Sequence, residues 1–275
     1  MAAKLLPLVP EHLQYVEPFF GGGSLFFAKR PAAGIETIND MDTAVVDLYR
    51  VLRDENLFKR FEHLCSFTPY SQQLYKEYRE NWSDFDNIVE RVYRWFFVAR
   101  TCFSGNFGSG MSTAKTLSRN GMSGPPSKWI GAVNGLPEIH ERLSCTQIEC
   151  KEYETILDQY CTDDSFAYLD PPYPAETRRS GGYVHDDVDH SELLEVACRL
   201  RGKVMISSYE NPMYDELLLS SGWEKHIFTV ACSAAARTRA TGLTGEGACA
   251  DNQMRTEVAW MNYQVEPELD FGVSV

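Results

Sequence analysis

Short apolar runs alternate with amphipathic segments at the start of the chain. Runs rich in aromatic and branched residues at 13–20 and 34–40 predict two β-strands, and the amphipathic segment 43–54 predicts a helix. A glycine-rich turn and a short apolar segment lie between the two strands. This strand–turn–helix–strand–helix order is typical of the beginning of a doubly wound α/β sheet.

The same alternation returns in the second half of the chain. Strand-length apolar runs lie at 145–150, 165–170 and 202–209, and helical patterns lie at 153–160, 190–200 and 212–222. The runs 223–232 and 255–265 are predicted to close the sheet as a hairpin across a loop at 233–254. The predicted fold class is therefore α/β, with a Rossmann-like doubly wound sheet.

Residues 55–137 interrupt this alternation. A helical pattern extends from residue 55 to about residue 100, and 104–136 is rich in Gly and Ser with little apolar periodicity. Long irregular segments of this kind are commonly functional. We therefore predict an α/β domain made of 1–54 and 138–275, with a mostly helical domain inserted at 55–137.

Positive charge is concentrated in the predicted inserted domain. The chain has 26 Lys and Arg against 39 Asp and Glu, and its net charge of −13 disfavours unselective binding to nucleic acid. The stretch 91–137 nevertheless contains Arg and Lys residues but no Asp or Glu. The inserted domain is therefore predicted to present a local basic face.

Cysteine and histidine positions show no metal-ligand spacing. The eight cysteines contain no Cys-x-x-Cys pair, so reduced and mostly buried thiols are expected. His185 and His190 lie among acidic residues, but a solvated loop leading into a helix is the preferred interpretation, and no metal is expected. Because the sequence has no long apolar span and no signal peptide, we expect a cytoplasmic protein that binds no membrane. A monomer is one possible state, and the sequence does not decide the oligomeric state.

A carboxylate, two prolines and a tyrosine end the strand predicted at 165–170. Proline cannot donate to a β-ladder and fixes its own φ, so Pro171 and Pro172 end the pairing and stiffen the corner. In open α/β sheets, ligands bind beyond the carboxyl ends of the strands. Asp170 is therefore predicted to lie at a crevice with the Tyr173 ring beside it. A proline-rich turn without function is the alternative.

A glycine-rich turn follows the first predicted strand and lets a ligand approach the backbone closely. The dinucleotide fingerprint requires a third glycine where Phe26 stands, after Gly21 and Gly23, so no pyrophosphate site is predicted. Asp40 ends the second strand, where an acid can bind both ribose hydroxyls of a nucleoside, although it also suits a helix N-cap. Together these features predict a cofactor with adenosine but no diphosphate.

Five sequence blocks follow one another along nearly the whole chain: YVEPFFGGGSLFF, INDMDTAVVDLYR, RTCFSGNFG, YLDPPYP and RTEVAWMNY. Together and in this order they resemble the Dam-like adenine-N6 DNA methyltransferases. The Asp-Pro-Pro-Tyr block alone is shared with methyltransferases that act on other amino groups, including those of RNA. The resemblance implies an enzyme that transfers a methyl group from S-adenosylmethionine to the N6 amine of adenine in double-stranded DNA.

The resemblance also implies which residues form the active site. S-adenosylmethionine would be bound by eight residues. Six belong to the glycine motif and two are aspartates that follow later strands: Glu17, Pro18, Phe19, Phe20, Gly21, Gly23, Asp40 and Asp170. The catalytic group would be Asp170, Pro171, Pro172 and Tyr173. Asp170 and the Pro171 carbonyl would accept hydrogen bonds from the adenine amine, and Tyr173 would stack on the base. A base in a duplex must be flipped out to reach such a site.

The inserted domain would then face DNA. Five polar side chains are the predicted DNA contacts: Arg100, Asn106, Lys115, Arg119 and Lys128. Four aromatic residues are candidates for wedging or stacking near the base: Trp95, Phe103, Phe107 and Trp129. Helical spacing favours core positions for Trp95, Phe96 and Phe97.

Two features depart from the pattern of the resembled family. The family carries a Gly-Lys segment that helps to hold the cofactor, and here its lysine would fall before Met1, since Lys4 matches the following helix. Weak cofactor binding by the sequence as given is therefore expected. Glu152 stands where the family often has Asp. The alternatives are methylation of an amino group in RNA or protein, and a DNA-binding methyltransferase-fold protein with weak or no turnover.

Overall fold

A computed structural model of the chain describes residues 1–103, 107–114, 117–119, 121–174, 188–231 and 254–265. The chain divides into two compact units. The first unit comprises Met1–Ile35, Tyr153–Arg179 and Asp187–Val275, and the second comprises Glu36–Glu152 and Ser180–Asp186. The predicted inserted domain, 55–137, falls within the second unit, and its boundaries stay a prediction.

The secondary structure follows the predicted alternation. The strands are β1 (Gln14–Glu17), β2 (Ile35–Asn39), β3 (Leu117–Arg119), β4 (Met122–Ser123), β5 (Gln147–Glu149), β6 (Ser165–Leu169), β7 (Lys203–Tyr209), β8 (Glu224–Ala231) and β9 (Met254–Met261). The helices are α1 (Ala2–Leu5), α2 (Ser24–Ala28), α3 (Thr43–Arg53), α4 (Glu55–Ser66), α5 (Gln72–Asn81), α6 (Ile88–Thr101), α7 (Gly124–Asn134), α8 (Leu136–Ser144), α9 (Tyr153–Tyr160), α10 (His190–Arg199) and α11 (Pro212–Tyr214).

The first unit is built on a mixed sheet with the strand order β1-β6-β7-β9-β8. β6 pairs in parallel with β1 and with β7, whereas β9 is antiparallel to both β7 and β8. The predicted closing hairpin, β8 with β9, is therefore confirmed. All five residues of β6 are buried, as expected for a central strand that is covered on both faces.

The core of the first unit packs helices α9 and α10 against this sheet. Ile156 and Leu194 from the helices belong to one buried cluster with Leu169, Ile206 and Trp260 from the strands. Burial of these apolar side chains stabilises the sheet, at about 1.5–3 kcal/mol for each one that is fully buried. The ends of β6 and β7 are therefore rigidly held.

The second unit is mostly helical. β2 and β5 pair in parallel, with Asn39 opposite Glu149. Four of its helices begin at side-chain N-caps, which are Asp42 for α3, Asp54 for α4, Ser71 for α5 and Asn87 for α6. α3 packs against α4, α6 and α8.

Two predicted elements differ from the observed ones. β1 is shorter than the run 13–20 because Pro18 cannot donate to the ladder. The prediction of an irregular segment through residue 136 is wrong from Gly124 onward, where α7 begins. Pro125 and Pro126 lie in the first turn of α7, where a missing backbone N–H costs nothing.

Among the residues that the structure describes, the cysteines are less buried than expected. Cys65 and Cys102 are buried, whereas Cys145 and Cys198 are exposed, and these four form no disulfide. None of the described helices has the length and apolar character that a membrane span requires.

Candidate active site

The glycine motif and the Asp-Pro-Pro-Tyr motif leave the sheet of the first unit at the same edge. β1 and β6 run parallel, and Val16 lies opposite Ala167. The carboxyl ends of the two strands therefore lie side by side, with Glu17 ending one strand and Asp170 following the other. This is the edge at which ligands bind in open α/β sheets.

The glycine turn is tight on one side and open on the other. Its closing hydrogen bond runs from the Gly23 amide to the Phe20 carbonyl at 2.7 Å. Gly23 has a φ of +59°, and a Cβ there would lie 2.3 Å from the Phe20 ring, so only glycine fits. At Gly21 and Gly22, by contrast, nothing lies within 4 Å of the position that a Cβ would take. The space on this side of the turn is open to a ligand.

The two phenylalanines of the motif have different roles. Phe20 is buried and meets the rings of Phe26 and Phe27 edge to face, so it supports the turn from within. Phe19 is half-buried, and its ring lies 5.2 Å from the ring of Tyr153 at the start of α9. A half-buried aromatic ring that precedes the glycine turn in sequence fits a ligand with a planar base, as an adenosine-containing cofactor has.

Glu17 is a buried carboxylate that is held from within its own strand. Only 2% of Glu17 is exposed, and the Tyr15 hydroxyl donates to its Oε2 at 2.6 Å. Lys29 Nζ lies 4.0 Å from the centre of the Tyr15 ring, a cation–π contact that adds positive charge nearby. Glu17 is therefore fixed in orientation, as a ligand-binding carboxylate requires.

Asp170 is positioned by side chains of β6 and β7. The Ser207 hydroxyl donates to Asp170 Oδ1 at 2.9 Å, and the oxygens of Ser207 and Tyr168 are 2.8 Å apart. Pro171 and Pro172 are buried behind Asp170. This arrangement holds the carboxylate at the edge of the sheet, as the sequence predicts.

The surroundings of Asp170 make its carboxylate more basic than usual. Burial is the largest cause and raises the pKa of Asp170 to about 6, and the negative charge of Glu257 on β9 acts in the same direction. Hydrogen bonds from Ser207 and Tyr173 oppose this shift. At neutral pH the group is mostly ionised, so it can accept a hydrogen bond and then a proton.

Asp40 lies in the second unit, directly after β2. Its Oδ1 accepts a hydrogen bond from the Asp42 amide at 2.8 Å, and Asp42 is the residue that caps α3. The alternative interpretation of Asp40 as the N-cap is therefore wrong. Asn39 exchanges two hydrogen bonds with the backbone of Lys151, which fixes the end of β2 beside the end of β5.

The predicted DNA contacts are described only in part. Arg100 lies in the last turn of α6 and Lys128 lies on α7, and both side chains are exposed. Arg119 lies in β3, and Asn106 and Lys115 fall outside the described residues. All five stay predictions.

Two arginines of the acid-free stretch are already paired with carboxylates. Arg91 donates to Asp47 at 2.8 Å, and Arg94 donates to Glu77 at 3.1 Å. Arg94 also lies over the Phe85 ring. Fewer cations are therefore available to the basic face predicted for the inserted domain than the sequence indicates.

The candidate aromatic residues separate into core and surface. Trp129 is buried, and its Nε1 donates to the Thr68 carbonyl at 3.2 Å, so its predicted contact with a base is wrong. The core positions predicted for Phe96 and Phe97 are confirmed. Phe107 is exposed, and its ring lies 5.9 Å from that of the half-buried Trp95.

Phe103, the remaining aromatic candidate, is 42% exposed and therefore stays available for a contact outside the protein. Ser207 is the site residue that sequence reasoning missed. The signal was present, because two serines interrupt the apolar pattern at the carboxyl end of β7. Only the pairing of β6 with β7 shows which of the two faces Asp170.

The fold and this site define a class of protein, the α/β methyltransferases with a carboxylate and two prolines at the end of a central parallel strand. Residues 1–231 match the family described as D12 class N6 adenine-specific DNA methyltransferase, and the chain belongs to that family. Membership confirms the resemblance seen in the sequence, the Rossmann-like fold and an adenine-specific DNA methyltransferase as the kind of enzyme.

Individual relatives are similar at modest identity. The type II methyltransferase M1.LlaDCHI of Lactococcus lactis subsp. cremoris is 27% identical over 241 residues, which are 78% of this chain and 80% of the relative. The type II methyltransferase M.MjaIII of Methanocaldococcus jannaschii is 26% identical over 220 residues, 72% of this chain and 74% of the relative. The type II methyltransferase M.CviBI of Paramecium bursaria Chlorella virus NC1A is 26% identical over 163 residues, 58% of each chain.

Proposed function

We propose that the chain uses S-adenosylmethionine to methylate the N6 amine of an adenine that is flipped out of double-stranded DNA. The observation that carries this proposal is Asp170, an oriented carboxylate with a raised pKa at the carboxyl end of β6. S-adenosylmethionine, when bound, supplies an electrophilic methyl group on a sulfonium. The residues of the chain then have to orient the amine and accept its proton.

Asp170 is proposed to act as the hydrogen-bond acceptor for the amine. Hydrogen bonds to Asp170 and to the Pro171 carbonyl raise the electron density on a nitrogen whose lone pair is otherwise delocalised into the ring. The nitrogen forms the new bond to the methyl carbon, the carbon–sulfur bond breaks with its electron pair on sulfur, and Asp170 accepts the proton that the nitrogen loses. The contribution of the protein is mainly positioning and fixed dipoles.

The cofactor site is proposed to include the glycine turn. The open space at the Cβ positions of Gly21 and Gly22 and the half-buried Phe19 ring support an adenosine-containing ligand at this edge. Glu17 and Asp40 are the carboxylates proposed to bind its polar groups, with Asp40 on the ribose hydroxyls. Pro18, Phe20 and Gly23 are proposed to shape the turn.

DNA is proposed to contact the second unit. Arg100 and Lys128 are exposed cations on helices, and they are proposed to neutralise phosphates together with Lys115, Arg119 and Asn106. The exposed Phe107 ring is proposed to fill space near the extruded base. Tyr173 is proposed to stack on the flipped adenine.

The test is transfer of a labelled methyl group from S-adenosylmethionine to double-stranded DNA, RNA and protein in parallel. Transfer to DNA at adenine N6, shown by nucleoside analysis, is the expected result. Asp170→Asn is expected to abolish it. Asp163→Asn is the matched control, because this carboxylate lies before the amino end of β6 and its side chain is 72% exposed. Transfer to RNA or protein alone, or full activity of folded Asp170→Asn, would overturn the proposal.

A further inference from the structure

Three polar side chains form a buried chain of hydrogen bonds at the carboxyl ends of β6 and β7. Leu169 lies opposite Ile206, so the next residues along the two strands, Asp170 and Ser207, are neighbours. Ser207 and Tyr168 are 1% and 3% exposed, and the contacts that join them to Asp170 are 2.8 and 2.9 Å long. Water has little access to either hydroxyl.

The chain of hydrogen bonds has one direction. Ser207 has a single hydroxyl hydrogen, and it is donated to Asp170, because an ionised carboxylate has no hydrogen to give. In the hydrogen bond between Ser207 and Tyr168, the Tyr168 hydroxyl must then be the donor and the Ser207 oxygen the acceptor. Burial raises the pKa of Tyr168 well above its usual range, so the phenol keeps its hydrogen at any ordinary pH.

We propose that Ser207 is the positioning residue of Asp170 and that Tyr168 acts through it. By engaging Oδ1, Ser207 fixes the plane of the carboxylate and so directs the remaining acceptor positions toward the substrate. Without it, Asp170 keeps the hydrogen bond from Tyr173 but loses the one at Oδ1, so the acceptor is held less firmly for the amine. The role in methyl transfer rests on the proposed function, whereas the control of Asp170 ionisation does not.

Other groups also shift the pKa of Asp170, and the effect of Ser207 is measured against theirs. Glu257 on β9 raises the pKa of Asp170, while Tyr173 and the α-amino group of Met1 lower it. The Asp170 charge also acts on the hydroxyls of Tyr168 and Tyr214 and raises the pKa of each, and the charge of Glu17 acts on Tyr168 in the same direction. The substitutions at Ser207 and Ser208 leave all of these side chains in place.

The experiment compares three variants of β7. Ser207→Ala removes the donor, and Ser207→Thr keeps a hydroxyl. Ser208→Ala is the matched control, because Ser208 is equally buried, is the next residue and faces the opposite side of the sheet. Single-turnover methyl transfer to DNA is measured between about pH 5 and pH 9. Thermal melting and cofactor titration are measured on the same samples.

Of these three variants, only Ser207→Ala is expected to change the dependence of the methyl-transfer rate on pH. Losing a hydrogen bond to the charged form raises the pKa of Asp170, so the acid limb of the pH–rate profile moves up by about one pH unit, and the rate at pH 6 falls about fivefold. Ser207→Thr and Ser208→Ala keep the wild-type limb. If Ser207→Ala melts below the assay temperature, Ser207→Cys carries the same prediction, because it keeps the size but donates weakly.

A second readout does not depend on activity. Titration of the Asp170 carboxyl carbon by NMR, assigned with Asp170→Asn, is expected to give a higher midpoint in Ser207→Ala than in the wild type. An unchanged midpoint would overturn the proposal even if the protein methylates DNA. A raised midpoint in a protein that methylates no DNA would support the contact and overturn only the proposed function.

Tyr168→Phe tests whether the tyrosine acts through Ser207. Alone it is expected to move the limb in the same direction as Ser207→Ala but by less, because the bond from Ser207 to Asp170 remains. Added to Ser207→Ala it is expected to move the limb no further. Fully additive shifts would show that Tyr168 acts on Asp170 by another route.

Discussion

The rings of Tyr173 and Tyr209 meet edge to face, with their centroids 4.5 Å apart and their planes at 71°. Tyr209 ends β7, and Tyr173 follows Asp170 by three positions. An aromatic pair in this geometry contributes about 0.5–1.5 kcal/mol beyond its buried area. The strand end therefore orients the ring that is proposed to stack on adenine.

Tyr209→Ala is expected to lower kcat/KM for DNA by about threefold to tenfold, since Tyr173 loses the ring that orients it. Tyr209→Phe keeps the ring and is the matched control. Steady-state kinetics with a DNA substrate measures both. Equal losses in the two variants would mean that the hydroxyl of Tyr209, and not its ring, is what matters.

Asp170→Asn is expected to stabilise the folded protein at neutral pH. The pKa of Asp170 is about 6 in the fold against an ordinary 3.8, so its ionised form destabilises the fold above about pH 6. Below about pH 4 the carboxyl is protonated in both the folded and unfolded states, and the difference disappears. The gain at pH 8 is about 1–3 kcal/mol in the free energy of unfolding.

Melting of Asp170→Asn and wild type at about pH 4 and pH 8 checks this sign. Asp163→Asn is the control, because it makes the same substitution at an exposed carboxylate. A gain for Asp170→Asn that is equal at both pH values would contradict the raised pKa.

Gly23→Ala is expected to cost about 2 kcal/mol or more in the free energy of unfolding, from its positive φ and the contact with the Phe20 ring. Gly22→Ala has neither problem, so it should keep the melting temperature but weaken binding of S-adenosylmethionine, because a methyl group enters the open side of the turn. Chemical denaturation and calorimetry separate the two effects. Unchanged affinity in Gly22→Ala would place the cofactor elsewhere.

Reversal of Lys115, Arg119 and Lys128 to Glu is expected to weaken DNA binding and flatten its salt dependence. Each lost phosphate contact reduces the slope of log K against log salt by about 0.9 on duplex DNA. Lys76→Glu is the control, because Lys76 is an exposed cation on α5 outside the predicted contacts. Wild-type affinity and slope in the triple variant would mean that DNA follows another path.

Trp129→Ala is expected to lower the stability of the fold, and Phe107→Ala is expected to weaken binding to DNA. Trp129 is 3% exposed, so its loss should cost about 3–5 kcal/mol in the free energy of unfolding. Phe107 is 38% exposed, so its loss should leave stability nearly unchanged and weaken binding to DNA. Denaturation and a DNA titration on both variants test this. A Trp129→Ala variant that keeps its stability but binds DNA more weakly would support a contact between Trp129 and DNA, contrary to its burial in the fold.

The sequence was enough to predict the elements that carry the motifs. β6 and β7 are short apolar runs bounded by turn residues, and Asp170 follows directly from the prolines that end one of them. α7 was missed because Gly and Pro in its first turn hide an apolar spacing that begins only at Trp129. Composition over a window cannot show that a helix start tolerates those residues.

Contacts between residues that are far apart in the sequence could not be predicted from it. Nothing local distinguishes Ser207 from Ser208, since only the register with β6 directs one of them to Asp170. Likewise, Arg91 belongs to an acid-free stretch, but its partner, Asp47, is 44 positions away. Pairing of this kind depends on tertiary packing and not on sequence pattern.

The place of β9 has a consequence for how the protein is made. β9 comes last among the described strands, yet it lies between β7 and β8 in the sheet. During synthesis β7 therefore waits with one unpaired edge until residues 254–261 leave the ribosome, and β8 has no neighbour until the same moment. Because Ser207 lies on β7, the strand that positions Asp170 receives its second neighbour only after about fifty further residues have been translated, since β7 ends at Tyr209 and β9 begins at Met254.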